Sequence, residues 1–226
     1  MDLIVGDIHG CWEEFQELLE RVGPTREDRI LAVGDLIDRG PGAVAVFEFF
    51  RTTPNAAAVQ GNHERKHVAA HEGRVRPALS QVIARRLLGD RYPAFLEFAR
   101  GLPLWAKPAG ALVVHGFFEP GVPLERQRDT ILVGTMSGEN YLTRKYAQPW
   151  YELYEGPPIV VGHRHYRGDG TPLIWQDRVY GIDTNCYGGK ALTGLILPDF
   201  RLVSVPARAN HWAELQARHG AEAEAE

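Results

Sequence analysis

The chain has 226 residues, of which 44% are hydrophobic and 24% charged, a composition typical of folded globular proteins rather than disordered ones. Its 25 Lys and Arg residues face 29 Asp and Glu residues, for a formal net charge of −4, which argues against a nucleic-acid or membrane partner because both attract basic patches. Two cysteines are too few for a disulfide framework, and with no basic and apolar leader visible we expect a cytoplasmic protein.

The first third of the chain alternates between strand-like and helix-like segments. Short apolar runs at residues 3–5, 30–33 and 57–59 are typical of buried strands. A helix is predicted after each of them, with apolar residues at helical spacing over residues 12–22, over residues 43–51, and again after the third strand. This alternation favours an α/β fold with a mainly parallel sheet.

The rest of the chain continues with helices and then with short strands. Two helices are predicted at residues 77–88 and 93–100. The later strands are predicted at residues 112–114, 158–161, 173–175, 179–182, 191–197 and 202–205. Glycine- and proline-rich turns separate the last four, which is typical of antiparallel pairing. We expect one domain over residues 1–226, in which residues 206–226 form a C-terminal helical tail.

Five turns share one design, an apolar run followed by Asp, His or Asn. They are Gly6-Asp7-Ile8-His9-Gly10, Gly34-Asp35-Leu36-Ile37-Asp38-Arg39-Gly40, Gly61-Asn62-His63-Glu64, His115-Gly116 and Gly162-His163-Arg164-His165. Each alone could be a helix cap or a partly buried histidine. Strand ends line the ligand crevice of α/β sheets, so all five can converge. Their mixed oxygen and nitrogen donors suit Mn²⁺, Fe or Zn²⁺ better than Ca²⁺.

These motifs resemble those of the phosphoprotein phosphatase branch of the calcineurin-like metallophosphoesterases. GD-x-HG, GD-x-x-DRG, GNH-[ED], HG and a late GH occur in that order over about residues 5–165. The stretch at residues 181–190 also resembles the bacterial members, which include symmetrical diadenosine tetraphosphatases and small protein phosphatases. The resemblance implies a four-layer αββα sandwich with a dinuclear metal centre at one edge.

The resemblance also implies the roles of the motif residues. Asp7 and His9 would bind the first metal, Asp35 would bridge the two, and the second metal would be bound by Asn62, His115 and His163. A shared carboxylate screens the repulsion of two dications, and a hydroxide held between them would attack phosphorus. The ions expected are Mn²⁺ first, with Fe, Zn²⁺ or Ni²⁺ as alternatives.

Catalysis and substrate binding are implied for a further set of residues. His63 would protonate the leaving group while Asp38 orients its imidazole. Arg39 would grip phosphate oxygens, and Asn62 would lie beside the substrate. A second phosphate-binding arginine is expected, for which Arg144 is the candidate.

Several residues near these motifs have more than one interpretation. His165 departs from the phosphatase pattern, and we expect it to bind the first metal rather than face solvent. Arg126 and Arg128 compete with Arg144 for the second phosphate site. The pair Phe117-Phe118 either packs in the core or narrows the cleft.

Other side chains are expected outside the chemistry. His67 and His71 are predicted to lie on a solvated helix face, and Cys11 is predicted to be a packing residue rather than a nucleophile. Residues 187–190 either lie near the cleft or form a plain turn.

The predicted activity is metal-dependent phosphoester hydrolysis. Glu64, which closes GNHE, and the complete stretch from Asp35 to Arg39 favour a serine/threonine protein phosphatase acting on phosphoproteins or small phosphoesters. The alternative is hydrolysis of dinucleoside polyphosphates such as diadenosine tetraphosphate. An inactive binding scaffold is a third interpretation, which would expect one of the key motif residues to be missing, and none is.

Overall fold

The computed structural model describes residues 1–223 of the chain, and within that range it contains ten strands and eight α-helices. The strands are β1 (Asp2–Val5), β2 (Arg29–Ala32), β3 (Ala56–Ala58), β4 (Trp105–Ala106), β5 (Leu112–Val114), β6 (Ile159–Val161), β7 (Leu173–Trp175), β8 (Val179–Gly181), β9 (Ala191–Leu197) and β10 (Arg201–Pro206). The helices are α1 (Trp12–Val22), α2 (Ala43–Thr52), α3 (Asn62–His71), α4 (Leu79–Leu88), α5 (Tyr92–Gly101), α6 (Asp129–Leu132), α7 (Met136–Lys145) and α8 (His211–Ala223).

The strands form two five-stranded sheets. The first has the order β10-β9-β1-β2-β3 and the second β4-β5-β6-β8-β7. Three strands of each sheet run parallel, namely β1, β2 and β3 in the first and β5, β6 and β8 in the second, and all of these except β8 precede one of the five polar turns. Antiparallel strands complete the edges, and the late strands pair β7 with β8 and β9 with β10.

Alternating side chains on each strand separate three apolar layers. On β1, Leu3 and Val5 face the core under the helices, whereas Ile4 faces the core between the two sheets. On β5, Val114 faces the helices of the second sheet and Val113 faces the inter-sheet core. Strands covered on both faces are apolar throughout, which explains the uninterrupted runs in the sequence. The predicted four-layer αββα sandwich is confirmed.

Two helices illustrate how far local sequence determines the elements. Helix α1 ends at Gly23, whose φ of 66° is left-handed and whose amide donates to the Leu19 carbonyl oxygen at 2.8 Å. Helix α7 was not predicted, since it is largely polar and buries only Gly138 and Leu142.

The C-terminal helix α8 packs against the rest of the fold. Leu215 contacts Ile83 of α4, and His211 binds Glu14 of α1. The helical tail is thus found over His211–Ala223, and residues 224–226 lie outside the described residues. Over residues 1–223, no helix combines the length and the apolar character that a membrane crossing requires.

Candidate metal centre

The five predicted turns lie together at one edge of the sandwich. The His9 amide donates to the Asp35 carbonyl oxygen at 2.9 Å, which joins the loops after β1 and β2. The His163 amide donates to the Asp7 carboxylate at 3.1 Å, and Gly162 donates to the His115 carbonyl oxygen at 2.9 Å. The first and third of these bonds each join two loops of one sheet, and the bond from His163 to Asp7 joins the second sheet to the first, so the predicted convergence of strand ends is present in the fold.

The backbone at this edge is unusual. Four predicted site residues that are not glycine have left-handed φ angles: His9 (47°), Asp35 (51°), Arg39 (71°) and His163 (66°). Such residues cost free energy and persist where the surroundings impose them, commonly at functional sites. The adjoining glycines allow close approach, since a Cβ on Gly61 would lie 2.1 Å from Asp35 Oδ1 and one on Gly162 would lie 2.0 Å from Asp7 Oδ1.

Asp35 lies at the middle of the cluster. Its Oδ2 is 3.6 Å from His9 Nε2 and 3.4 Å from His115 Nε2. Its Oδ1 accepts from the His63 amide at 3.0 Å, at the start of helix α3. The geometry places one carboxylate between the two groups of predicted ligands.

The second group of predicted ligands meets at Asn62. Its Oδ1 lies 2.9 Å from both His115 Nε2 and His163 Nδ1. His115 Nδ1 donates to the Val33 carbonyl oxygen at 2.9 Å, which leaves Nε2 as the nitrogen that faces the cluster. A histidine held in this way by a backbone carbonyl has the orientation typical of metal ligands.

The first group is buried, and Asp7 has a compensating contact from the His163 amide. His9 Nδ1 is buried without a hydrogen bond, and Asp7 is buried beside a second acid, Asp183. Burial and the Asp183 charge raise the pKa of Asp7 well above its usual value. Burying two neighbouring carboxyls is costly unless a cation lies between or beside them.

Electrostatics show that the cluster attracts positive charge. Burial opposes protonation of His115, but Asp35 and Asp7 outweigh it and raise its pKa to about 10. Burial also disfavours the charged form of Asp35 and so would raise its pKa, but the nearby His115 and His63 hold the pKa of Asp35 well below its usual value. An anionic pocket of carboxylate oxygens, an amide oxygen and imidazole nitrogens fits one or more divalent cations.

His63 is held by a buried carboxylate next to the cluster. Its Nδ1 donates to Asp38 Oδ2 in a short hydrogen bond, and its Nε2 lies 3.0 Å from Arg39 Nη2. Burial lowers the pKa of His63, but Asp35 and Asp38 more than offset this and raise it. Arg39 itself lies over the Tyr187 ring, with Cζ 4.5 Å from the ring centre. Tyr187 therefore borders the cleft, which decides between the two interpretations of that segment.

The prediction that His67 lies on a solvated helix face is wrong. His67 is fully buried, and its Nε2 donates to Asp38 Oδ1 at 2.9 Å. Helix α5 covers this side of α3 and supplies Tyr92, whose hydroxyl lies 3.2 Å from His67 Nδ1. His71, one turn further on, is exposed as predicted.

Two predicted residues are not among the side chains that meet at Asp35 and Asn62. His165 Nε2 is 3.2 Å from Asp183 Oδ2, and among the described residues the two groups of ligand atoms around Asp35 include neither His165 nor Asp7. Arg144 lies on α7 and lines a surface cavity with Ser137 and Tyr141, neither of which is a predicted site residue. Of the competing arginines, Arg128 lies over the Tyr141 ring.

Glu64 organises the backbone of the site. Its carboxylate accepts from the amides of Asp35 at 2.9 Å, Leu36 at 2.8 Å and Gly61 at 3.0 Å. It thereby ties the loop after β2 to the start of α3. Cys11 is also structural: it is fully buried, and the neighbouring Cys186 together with burial raises the pKa of its thiol.

Neither Asp183 at the site nor the burial of His67 is predicted by the five sequence motifs. Asp183 follows the end of β8 by two residues, in the same pattern of an apolar run and then an acid that identified the five turns. The sequence pattern was therefore sufficient to predict Asp183 as a site residue. No such pattern marks His67, because its burial depends on a helix that packs from elsewhere in the chain.

Comparisons with known proteins agree with this geometry. The family model of the calcineurin-like phosphoesterases matches residues 3–189. The chain is 31% identical to the asymmetrical bis(5'-nucleosyl)-tetraphosphatase PrpE of Bacillus subtilis (strain 168), over 90% of this chain and 93% of that protein. It is 33% identical to the symmetrical bis(5'-nucleosyl)-tetraphosphatase of Shewanella baltica (strain OS185), over 96% of this chain and 85% of that protein.

A solved structure shows the same architecture. It is assigned provisionally as a diadenosine tetraphosphatase and is 26% identical, with a TM-score of 0.72 over 91% of this chain and 93% of its own. The family that the sequence motifs indicated is confirmed, and the chain belongs to the calcineurin-like phosphoesterases.

Proposed function

We propose that this protein hydrolyses the polyphosphate chain of dinucleoside polyphosphates such as diadenosine tetraphosphate. The observation that carries the hydrolytic part of the proposal is the meeting of His9 and His115 nitrogens on one Asp35 oxygen, where two divalent ions would share a carboxylate. The names of its relatives favour this substrate over a phosphoprotein. Phosphoprotein hydrolysis was favoured by Glu64, but that side chain binds backbone amides inside the fold, so it carries little information about substrate.

Two sets of residues would hold two divalent ions, of which Mn²⁺ is the one we expect first. The proposed ligands are Asp7, His9 and Asp35 for one ion, and Asp35, Asn62, His115 and His163 for the other. When bound, such ions supply Lewis-acid activation of water and of the phosphoryl group. His165 is left out of these sets because it is held by Asp183.

His63, Asp38 and Arg39 would perform the remaining chemistry. Hydrolysis forms a bond from a water oxygen, which gives up a proton, to phosphorus, and it breaks the bond from phosphorus to a bridging oxygen, whose developing negative charge a proton donor can neutralise. A proton on His63 Nε2 would be given to that oxygen, since Asp38 orients the ring through Nδ1 and favours its charged form. Arg39 lies 3.0 Å from the same nitrogen and would bind phosphate oxygens.

The substrate proposal is tested by comparing kcat/KM of the Mn²⁺-loaded protein on diadenosine tetraphosphate and on a phosphoserine peptide. We expect a preference of at least about tenfold for the dinucleotide. Chromatography of the products then shows where the chain is cut, because symmetrical cleavage yields only ADP and asymmetrical cleavage yields AMP and ATP. A preference for the peptide would contradict the proposal, and so would an undiminished rate after removal of divalent ions by a chelator.

A further inference from the structure

A cavity of about 560 Å³ lies directly beside the candidate metal centre. Its inner wall is formed by Arg164 and His165, which follow the proposed ligand His163, and by Phe117, which follows His115 by two residues. The Phe117 and His163 ring centres are 5.2 Å apart, so the cavity and the cluster share a wall. The volume is within the range of about 300–1,000 Å³ that small-molecule sites occupy.

The outer wall is built mainly from aromatic rings. Tyr146, Trp150, Tyr151 and Tyr166 all line the cavity, and the three tyrosines are half-buried. Their arrangement is fixed by contacts among them, since the Tyr151 and Tyr166 ring centres are 5.5 Å apart and Trp150 Nε1 donates to the Tyr166 hydroxyl at 3.3 Å. Rigid aromatic walls favour a flat aromatic ligand, because every nucleobase presents a π-face for stacking.

Two charged residues give the cavity polarity. The Glu139 carboxylate of α7 and the Arg164 guanidinium form an ion pair on its wall. A carboxylate accepts hydrogen bonds from the exocyclic amine of a base, and a guanidinium binds phosphate oxygens. An apolar peptide side chain would use neither group.

We propose that this cavity binds the nucleoside part of the substrate, with the base stacked on the Tyr146, Trp150 and Tyr151 side. The inference rests on the proposed function for the identity of the substrate, but its binding test does not depend on hydrolysis. A nucleoside held here would place the adjoining phosphates next to Arg164 and the cluster around Asp35.

The test is calorimetric titration of the Mn²⁺-loaded protein with AMP and with ribose 5-phosphate, which share the phosphate and the sugar and differ by the base. We expect AMP to bind about tenfold more tightly, and we expect Tyr151→Leu to remove most of that difference. The matched control is Trp105→Leu, an exposed aromatic residue on strand β4 outside the cavity, which should leave the difference intact.

The outcomes separate this inference from the proposed function. Equal affinities for AMP and ribose 5-phosphate in the unmodified protein would overturn the nucleoside site, even if diadenosine tetraphosphate is hydrolysed. So would a base preference that Tyr151→Leu leaves unchanged while the variant keeps its thermal stability. A Tyr151-dependent preference for AMP would support the site, even in a protein that fails to cleave the dinucleotide. Competition by a phosphoserine peptide for the cavity, with no base preference, would assign it to peptide binding instead.

Discussion

Two buried pairs of a carboxylate and an imidazole are built alike in this fold but lie in different surroundings. Asp38 accepts from His63, and Glu14 accepts from His211 Nε2 at 2.7 Å. Both acids are fully buried. The surroundings differ: His63 has Arg39 and Asp35 beside its second nitrogen, whereas the Glu14 pair joins helix α8 to helix α1. A buried acid–histidine pair is therefore no sign of catalysis by itself. The groups that surround the second ring nitrogen of the histidine indicate whether the pair belongs to a reactive site.

The largest expected effect comes from removing the imidazole of the first pair. His63→Gln should lower kcat on diadenosine tetraphosphate by about 10²- to 10⁴-fold, because the leaving oxygen loses its proton donor. Steady-state kinetics on two aryl phosphates should show a smaller loss on 4-nitrophenyl phosphate than on phenyl phosphate, because 4-nitrophenolate is the weaker base and depends less on a proton donor. Equal losses on both substrates would rule out His63 as the proton donor.

The acid of the first pair should matter less than the imidazole. Asp38→Asn should lower kcat by roughly 10- to 100-fold, a typical cost of losing a partner that orients a working group. Asp38 also helps to raise the pKa of His63. The alkaline limb of the pH–rate profile should therefore move to lower pH in this variant. An unchanged profile would show that Asp38 does not tune His63.

Breaking the second pair should affect stability rather than rate. His211→Gln should lower the free energy of unfolding by about 1–3 kcal/mol, because buried Glu14 loses a charged hydrogen-bond partner. Denaturant unfolding measures this change. Activity at a temperature where the variant is folded should stay within about twofold of the unmodified protein. A large loss of kcat in folded His211→Gln would erase the distinction between the two pairs.

The charged pair of Glu14 and His211 should make the stability of the fold depend on pH. The hydrogen bond to Glu14 raises the pKa of His211. The stabilisation of the fold by protonated His211 is therefore complete below the usual histidine pKa of about 6.5, and it is lost as pH rises through the raised pKa. Burial opposes ionisation of Glu14, but interactions led by the hydrogen bond from His211 outweigh it and lower the pKa of Glu14. The stabilisation of the fold by ionised Glu14 is therefore lost as pH falls below about 4.5. The difference in free energy of unfolding between the unmodified protein and His211→Gln should be largest at pH values between about 4.5 and 6.5, where both groups are charged. A difference that is flat from pH 5 to 9 would contradict the charged pair.

Sequence reasoning was strongest where chemistry and local structure coincide. The turns containing Asp7, Asp35 and Asn62 combine apolar strands, glycines and ligand side chains, and each is found at the predicted strand end. Reasoning failed where the answer depends on packing between distant segments. His67 is buried because α5 covers it, and Arg144 is exposed on α7, where it lines a surface cavity formed by residues of that helix.

The same limit applies to the aromatic cavity. Its walls come from α7, the segment that follows it and the loop after β6, and no periodicity links them. Helix α7 was itself missed, because a polar helix with two buried residues leaves little hydrophobic pattern. Sequence motifs thus indicate the reacting centre, whereas the structure is needed to find what holds the rest of the substrate.

The most direct test of the central claim is the metal content of the purified protein, measured together with its activity. After loading with Mn²⁺ and removal of the excess, we expect about two ions per chain. Asp35→Asn should retain fewer ions and lose at least about 10²-fold in kcat/KM, whereas Asp28→Asn, far from the cluster at the N-terminal amine, should match the unmodified protein. A protein that binds no divalent ion and remains inactive in added Mn²⁺, or an Asp35→Asn variant with full metal content and activity, would contradict the account.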